Sequence, residues 1–133
     1  MKNLIATTLA AVCLSAPTLA QSETLITEYY SLLGPADAHN SRGAALDDFC
    51  AIAQQDRANW HKFGKREEFD AADPFFTTPA RRAMFTGRCQ YDATYFANPG
   101  TRIRNGTRHF YVYVRVFGNG DQVTRIVLSE GAG

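Results

Sequence analysis

What this chain lacks narrows it before any motif is read. Its one sustained apolar run, Leu4 to Leu14, is too short to cross a bilayer as a stable helix, and no second run follows it. No internal repeat or low-complexity tract is visible, which argues against solenoids and fibres. There is no G-x-x-x-x-G-K-[ST] or G-x-G-x-x-G, so the common phosphate cradles are missing. No G-x-S-x-G elbow offers a serine nucleophile. His39, His61 and His109 are scattered, without the paired helical spacing or cysteine cluster of a metal centre, so neither metal nor cofactor is expected. A strong charge of either sign is missing too: 14 Lys and Arg stand against 13 Asp and Glu. The run RHFYVYVRVF alternates basic and aromatic residues, but His109 stands where the RNA-recognition octamer needs glycine, so no nucleic-acid partner is expected.

What is present begins with an export leader. Lys2, the apolar run, Pro17 and the small residues up to Ala20 read as a bacterial-type signal peptide over residues 1–20, with cleavage after Ala20. Residues 21–133 then form a single domain that is periplasmic or secreted, with no membrane span in the mature chain. Cys13 leaves with the leader. Cys50 and Cys89 remain, and two cysteines in an exported protein read as one disulfide. Closing a loop of that length contributes about 4 kcal/mol in the chain-entropy model.

Charge is uneven along the mature chain. Gln21 to Asp73 carries ten acids against five Lys and Arg, and Pro74 to Gly133 three acids against eight arginines. The plainer reading is an acidic half docked on a basic half; the other is a cationic surface for an anionic partner.

The pattern predicts helices first and strands after. Ser22 caps a first helix over Leu25, Ile26, Tyr29, Tyr30, Leu32 and Leu33, stopped by Gly34-Pro35. A second runs from about Gly43 to Lys62, and a short third from Pro79 to Thr86, closed by Gly87. Cys89 to Ala97 reads as a strand and Asn98-Pro99-Gly100 as a turn before a basic loop. The strongest local signal is a hairpin about Asn119-Gly120, which sets Val116 opposite Val123, Val114 opposite Arg125 and Val112 opposite Val127. Tyr111, Tyr113, Arg115, Ile126 and Leu128 then share the other face. A fourth strand would lie in Thr101 to Arg104. The expected fold is α+β: two to three N-terminal helices on one face of a C-terminal antiparallel sheet of three to four strands, with one disulfide.

Two places could carry chemistry. On the second helix, Leu46, Phe49, Ala53, Asp56, Trp60 and Phe63 fall on one stripe, and only Asp56 does not belong in a core. A buried carboxylate must be paired, hydrogen-bonded or neutral. Its structural partner would be Arg125, which interrupts the valine face, with Arg115 and Arg57 as alternatives. Its functional reading is a general base in a pocket walled by Trp60, with His61 or a tyrosine as proton partner. The second place is the Tyr111-Tyr113-Arg115 face with the basic loop Arg102, Arg104 and Arg108, suited to ligand binding unless the first helix or the Phe75-Phe76 loop covers it. Without a catalytic motif, the leading expectation is a small, exported, non-enzymatic binding module for a protein or cell-envelope ligand. The alternative is a small pocket enzyme using Asp56 as base. A third reading is oligomerisation through an open sheet edge.

Overall fold

The segment TLITEYYSLL satisfies a helical and an alternating period at once, and the sheet decides between them. In the computed structural model, which describes residues 22–94 and 96–131, Thr24–Leu33 is a strand, β1. Tyr29, Ser31 and Leu33 point inward and are buried, while Glu28 and Tyr30 point outward. The expected first helix is therefore corrected. Thr, Ile and Tyr suit a pleated surface, and pairing along the strand Phe110–Asn119 rewards a strand here over an isolated helix. The leader, its cleavage point after Ala20, Cys13 and Tyr95 lie outside the described residues.

After β1 come α1 (Phe49–His61), α2 (Pro79–Arg82, continued by a 3-10 turn over Ala83–Phe85), β2 (Cys89–Tyr91), α3 (Pro99–Arg104), β3 (Phe110–Asn119) and β4 (Gln122–Glu130). The class is α+β, and the sheet is four-stranded in the order β1-β3-β4-β2. It is mixed rather than antiparallel, because β2 runs parallel to β4. The fourth strand is β1; Thr101 to Arg104 belongs to α3 instead. The strand expected over Cys89 to Ala97 ends at Tyr91.

The hairpin differs from its expected register in an instructive way. Asn119 pairs with Gln122, so Gly120-Asp121 forms the turn. Gly118 pairs with Val123 but Phe117 with Arg125, leaving Thr124 as an extra residue, a β-bulge. Gly118 is needed there: a Cβ would stand 2.0 Å from the Gln122 carbonyl oxygen. The turn's displacement keeps each side chain on its face. The bulge reverses every face beyond it. Val112, Val114 and Val116 therefore meet Ile126 and Leu128 on the buried face, and Arg125 and Val127 turn to the outer one.

Helix α1 is shorter than expected. Asp48 caps it by accepting from the Ala51 N–H at 2.8 Å, so Leu46 precedes the helix and Phe63 follows it, 42% exposed. Its buried residues are Phe49, Ile52, Ala53, Asp56, Arg57 and Asn59. Phe49 stacks on Phe96 (4.6 Å between centroids) and meets Phe110 and Tyr91 edge-on, both at 5.3 Å. Phe76 joins Tyr29 to Phe85 in a second aromatic group. The Cys50–Cys89 disulfide ties the first turn of α1 to the edge strand β2. Asn98 takes a left-handed φ of 48° and Pro99 opens α3, so the expected turn begins a helix instead. Gly100 lets α3 press on the segment before α1, since a Cβ would stand 2.3 Å from the Leu46 carbonyl oxygen.

The other sheet edge is partly closed. The Ala71 N–H donates to the Tyr30 carbonyl at 2.9 Å, and the Leu32 N–H to the Asp70 carboxylate at 2.9 Å. A partner strand could not pair with β1 across that stretch.

Candidate functional site

Asp56 is buried, as its place on the helix implies, and its cation is Arg57, the residue beside it in sequence. Arg57 Nε donates to Asp56 Oδ2 at 2.7 Å and Nη1 to Asp73 Oδ2 at 3.0 Å. Nη1 also reaches the Ala71 carbonyl, and Nη2 donates to Ser31 Oγ at 3.1 Å. The guanidinium has no exposed surface and lies 4.3 Å from the centre of the Tyr29 ring. Arg125, the expected partner, lies across the sheet; the bulge at Thr124 put it on the outer face, where its Nε meets Glu23 at 2.7 Å. Arg115 shares that outer face and does not reach Asp56 either.

Acids outnumber cations around Arg57. Ser31 Oγ lies 2.8 Å from Asp56 and 3.0 Å from Asp70, yet its hydroxyl has one proton for two carboxylates. Burial pushes Asp56 up to about 6, against the pull of Arg57. Burial, then the Asp56 charge, pushes Asp37 up to about 7. Asp73 goes the other way. Burial opposes its charge, but the Phe76 N–H, His61 and Arg57 together hold it below the ordinary range. His61 Nε2 meets Asp73 Oδ2 at 2.9 Å, so Asp56 and His61 connect only through Arg57 and Asp73. Guanidinium groups of Arg57 and Arg66 stand 5.2 and 4.2 Å from the Trp60 ring centre. The arrangement can clamp β1, α1 and the loop over residues 70–76 together. Both bonds to Asp56, from Arg57 and Ser31, fall on Oδ2, and the residue is 2% exposed.

The outer face of the sheet is built differently. Alternation along β3 places Tyr111, Tyr113, Arg115 and Phe117 there, each half-buried. β1 adds Glu28 and Tyr30, and β4 adds Arg125 and Val127. Tyr30 stacks on both Tyr113 (4.7 Å) and Tyr111 (5.4 Å), within 20° of parallel. Rings stacked on one another present edges and hydroxyls outward, not faces. The Tyr113 hydroxyl donates to Glu28, which raises its pKa, while Arg115 sits over Tyr113 (5.5 Å) and Phe117 (5.9 Å). The Phe75-Phe76 loop, which could have covered this face, contributes Phe76 to the buried side against Tyr29.

The three arginines of the basic stretch separate. Arg104 is used internally, pairing with Asp47 at 2.6 Å. Arg102 and Arg108 lie 5.1 and 5.3 Å from the Phe110 ring, at the start of β3. Sequence reasoning ranked Arg57 behind Arg125 as the partner of Asp56, and it missed Tyr30 as the third tyrosine. The alternation Tyr29-Tyr30-Ser31 could have signalled the latter, had the segment been read as a strand. Among the described residues no group of three His, Cys, Asp or Glu could hold a metal ion, and no helix is long and apolar enough to cross a membrane. Set against known proteins, the chain matches no family model, no curated protein and no solved structure, which leaves its function to be read from this geometry.

Proposed function

We propose that this is a small, exported, non-enzymatic binding module whose outer sheet face engages a protein or cell-envelope ligand, with Tyr111, Tyr113 and Arg115 at its centre and Arg102 and Arg108 at its margin. The observation that carries the reading is the stacked tyrosine trio beside Arg115 on the face opposite the aromatic core. Tyrosine supplies rigid contact area with a polar tip, and arginine supplies planar, multiply hydrogen-bonding recognition; both are enriched at protein interfaces. Edge-on rings favour a protein surface with its own donors and acceptors over a flat sugar or base, which would need a free ring face. The disulfide and the leader fit an oxidising compartment. The alternative, Asp56 as a general base, has weaker support, because the residue is 2% exposed and its Oδ2 is bonded by Arg57 and Ser31.

Site-specific photo-cross-linking in the host tests the proposal. A cross-linking residue at Tyr113 should give one discrete product that Arg115→Ala removes. The same residue at exposed Thr107, beyond α3, should not give it. No product at Tyr113, or an identical product at both positions, would sink the reading.

A further inference from the structure

A second candidate site lies away from the sheet. A groove of about 420 Å³ opens between the loop that follows β1, the C-terminal half of α1 and Lys65, within the size range of small-molecule sites. Its floor is held rigidly. Gln55 Nε2 donates to Asn59 Oδ1 at 2.9 Å, and Asn59 Nδ2 donates to Asp37 Oδ1 at 2.8 Å. Asp37 Oδ2 in turn accepts the Gly34 N–H at 3.0 Å. One wall is equally fixed: Asn40 Oδ1 accepts the N–H groups of Arg42 and Ala44, closing a tight turn. A small-molecule site gains from groups held in place before the ligand arrives.

What this scaffold leaves free is informative. The acids near the groove are already satisfied, Asp37 by Gly34 and Asn59, and Asp70 by the Leu32 and Glu67 N–H groups. The cation is not. Among the described residues Lys65 has no ion pair, although it lines both this groove and the smaller cleft that continues over Asp37. Ser41 and the Gln55 carbonyl oxygen remain as neutral hydrogen-bonding groups. Phe63, 42% exposed beyond the end of α1, adds an apolar wall that the core does not use.

From these groups we infer that the groove binds a small hydroxylated carboxylate the size of one sugar acid. Lys65 takes the carboxylate, Gln55 and Ser41 take hydroxyls, and Phe63 takes the C–H face of the ring. A charge-assisted bond to Lys65 supplies selectivity over a neutral sugar.

The test is an amide NMR titration of the disulfide-bonded protein with glucuronate, with glucose and acetate run beside it. Glucuronate should give saturable shifts at Ser41, Gln55 and Lys65 by about 10 mM, an ordinary range for one sugar unit, while glucose and acetate should not. Lys65→Gln and Ser41→Ala, both at exposed groups outside the hydrogen-bonded floor, should each weaken binding roughly tenfold or more. A tri-uronate that binds more tightly at the same residues places the site on a polymer end; equal binding places it on the free acid. The inference is overturned if glucuronate produces no saturable shift in the groove, or if its shifts survive both substitutions.

Discussion

Arg57 places a guanidinium with no exposed surface between Asp56 and Asp73, and its removal takes the cation from buried Asp56 and one of several partners from Asp73. Arg57→Gln is expected to cost about 3–5 kcal/mol of unfolding free energy, the scale for breaking a buried pair. Asp56→Asn should cost clearly less, because Arg57 keeps Asp73 and the burial of one charge is relieved. Its cost should also shrink as pH falls below 6, where Asp56 takes up a proton in the wild-type protein. Urea titrations of both variants near neutral pH check the order, and equal losses would show that Asp56 carries the clamp alone. At this scale the sequence was half legible. Helical spacing marks Asp56 as inward. It does not show that Arg57, one position on, curls back under the same loop, because that burial depends on where the chain over Ala71 to Asp73 comes to lie.

At the scale of elements, β1 and the bulge at Thr124 account for most of the difference between expectation and fold. Both are cases where tertiary pairing overrides a local pattern. Leu25 to Leu33 fits a helix by spacing, and only the open edge of β3 makes a strand the better use of it. The hairpin, α1, the short α2 and the disulfide were legible because caps, turn residues and cysteines act locally. The bulge was not, since one unpaired residue leaves no mark on the alternation of VTRIVLS until the partner strand is known. Gly118→Ala should lose about 1–3 kcal/mol through the clash with Gln122, read from denaturant unfolding; a neutral result would place the bulge elsewhere. Replacing Cys50 and Cys89 by serine should cost about 4 kcal/mol, the entropy returned to an unfolded chain whose cysteines lie 39 residues apart, and should loosen β2 first in hydrogen exchange.

Over the whole molecule, the interior holds more carboxylates than cations, and this sets how stability follows pH. Asp37 and Asp56 titrate higher in the folded chain than in the unfolded one. Between roughly pH 4 and 7 the folded state therefore holds more protons, and stability falls as pH rises through that window. Asp73 is held low, so its contribution is present above the ordinary carboxylate range and is lost in stronger acid. The protein should be more stable at about pH 5 than at about pH 8, by on the order of 2–4 kcal/mol, and Asp37→Asn should flatten the slope. A flat profile in the wild type would mean that these acids are solvated. The two sides of the sheet then divide the work. The inner side, with its aromatic groups and its clamp, makes the fold. On the proposed reading, the outer side carries three tyrosines and an arginine for binding. The most direct test of that division is the unfolding free energy of the triple variant Tyr111→Thr, Tyr113→Thr, Arg115→Thr beside wild type. Threonine keeps the strand preference while stripping the face. If the face serves binding, the loss should stay below about 2 kcal/mol, the sum of a few cross-strand pairs. A loss of about 3–5 kcal/mol or more, comparable to emptying the core, would contradict the division and make the tyrosine face part of the structure.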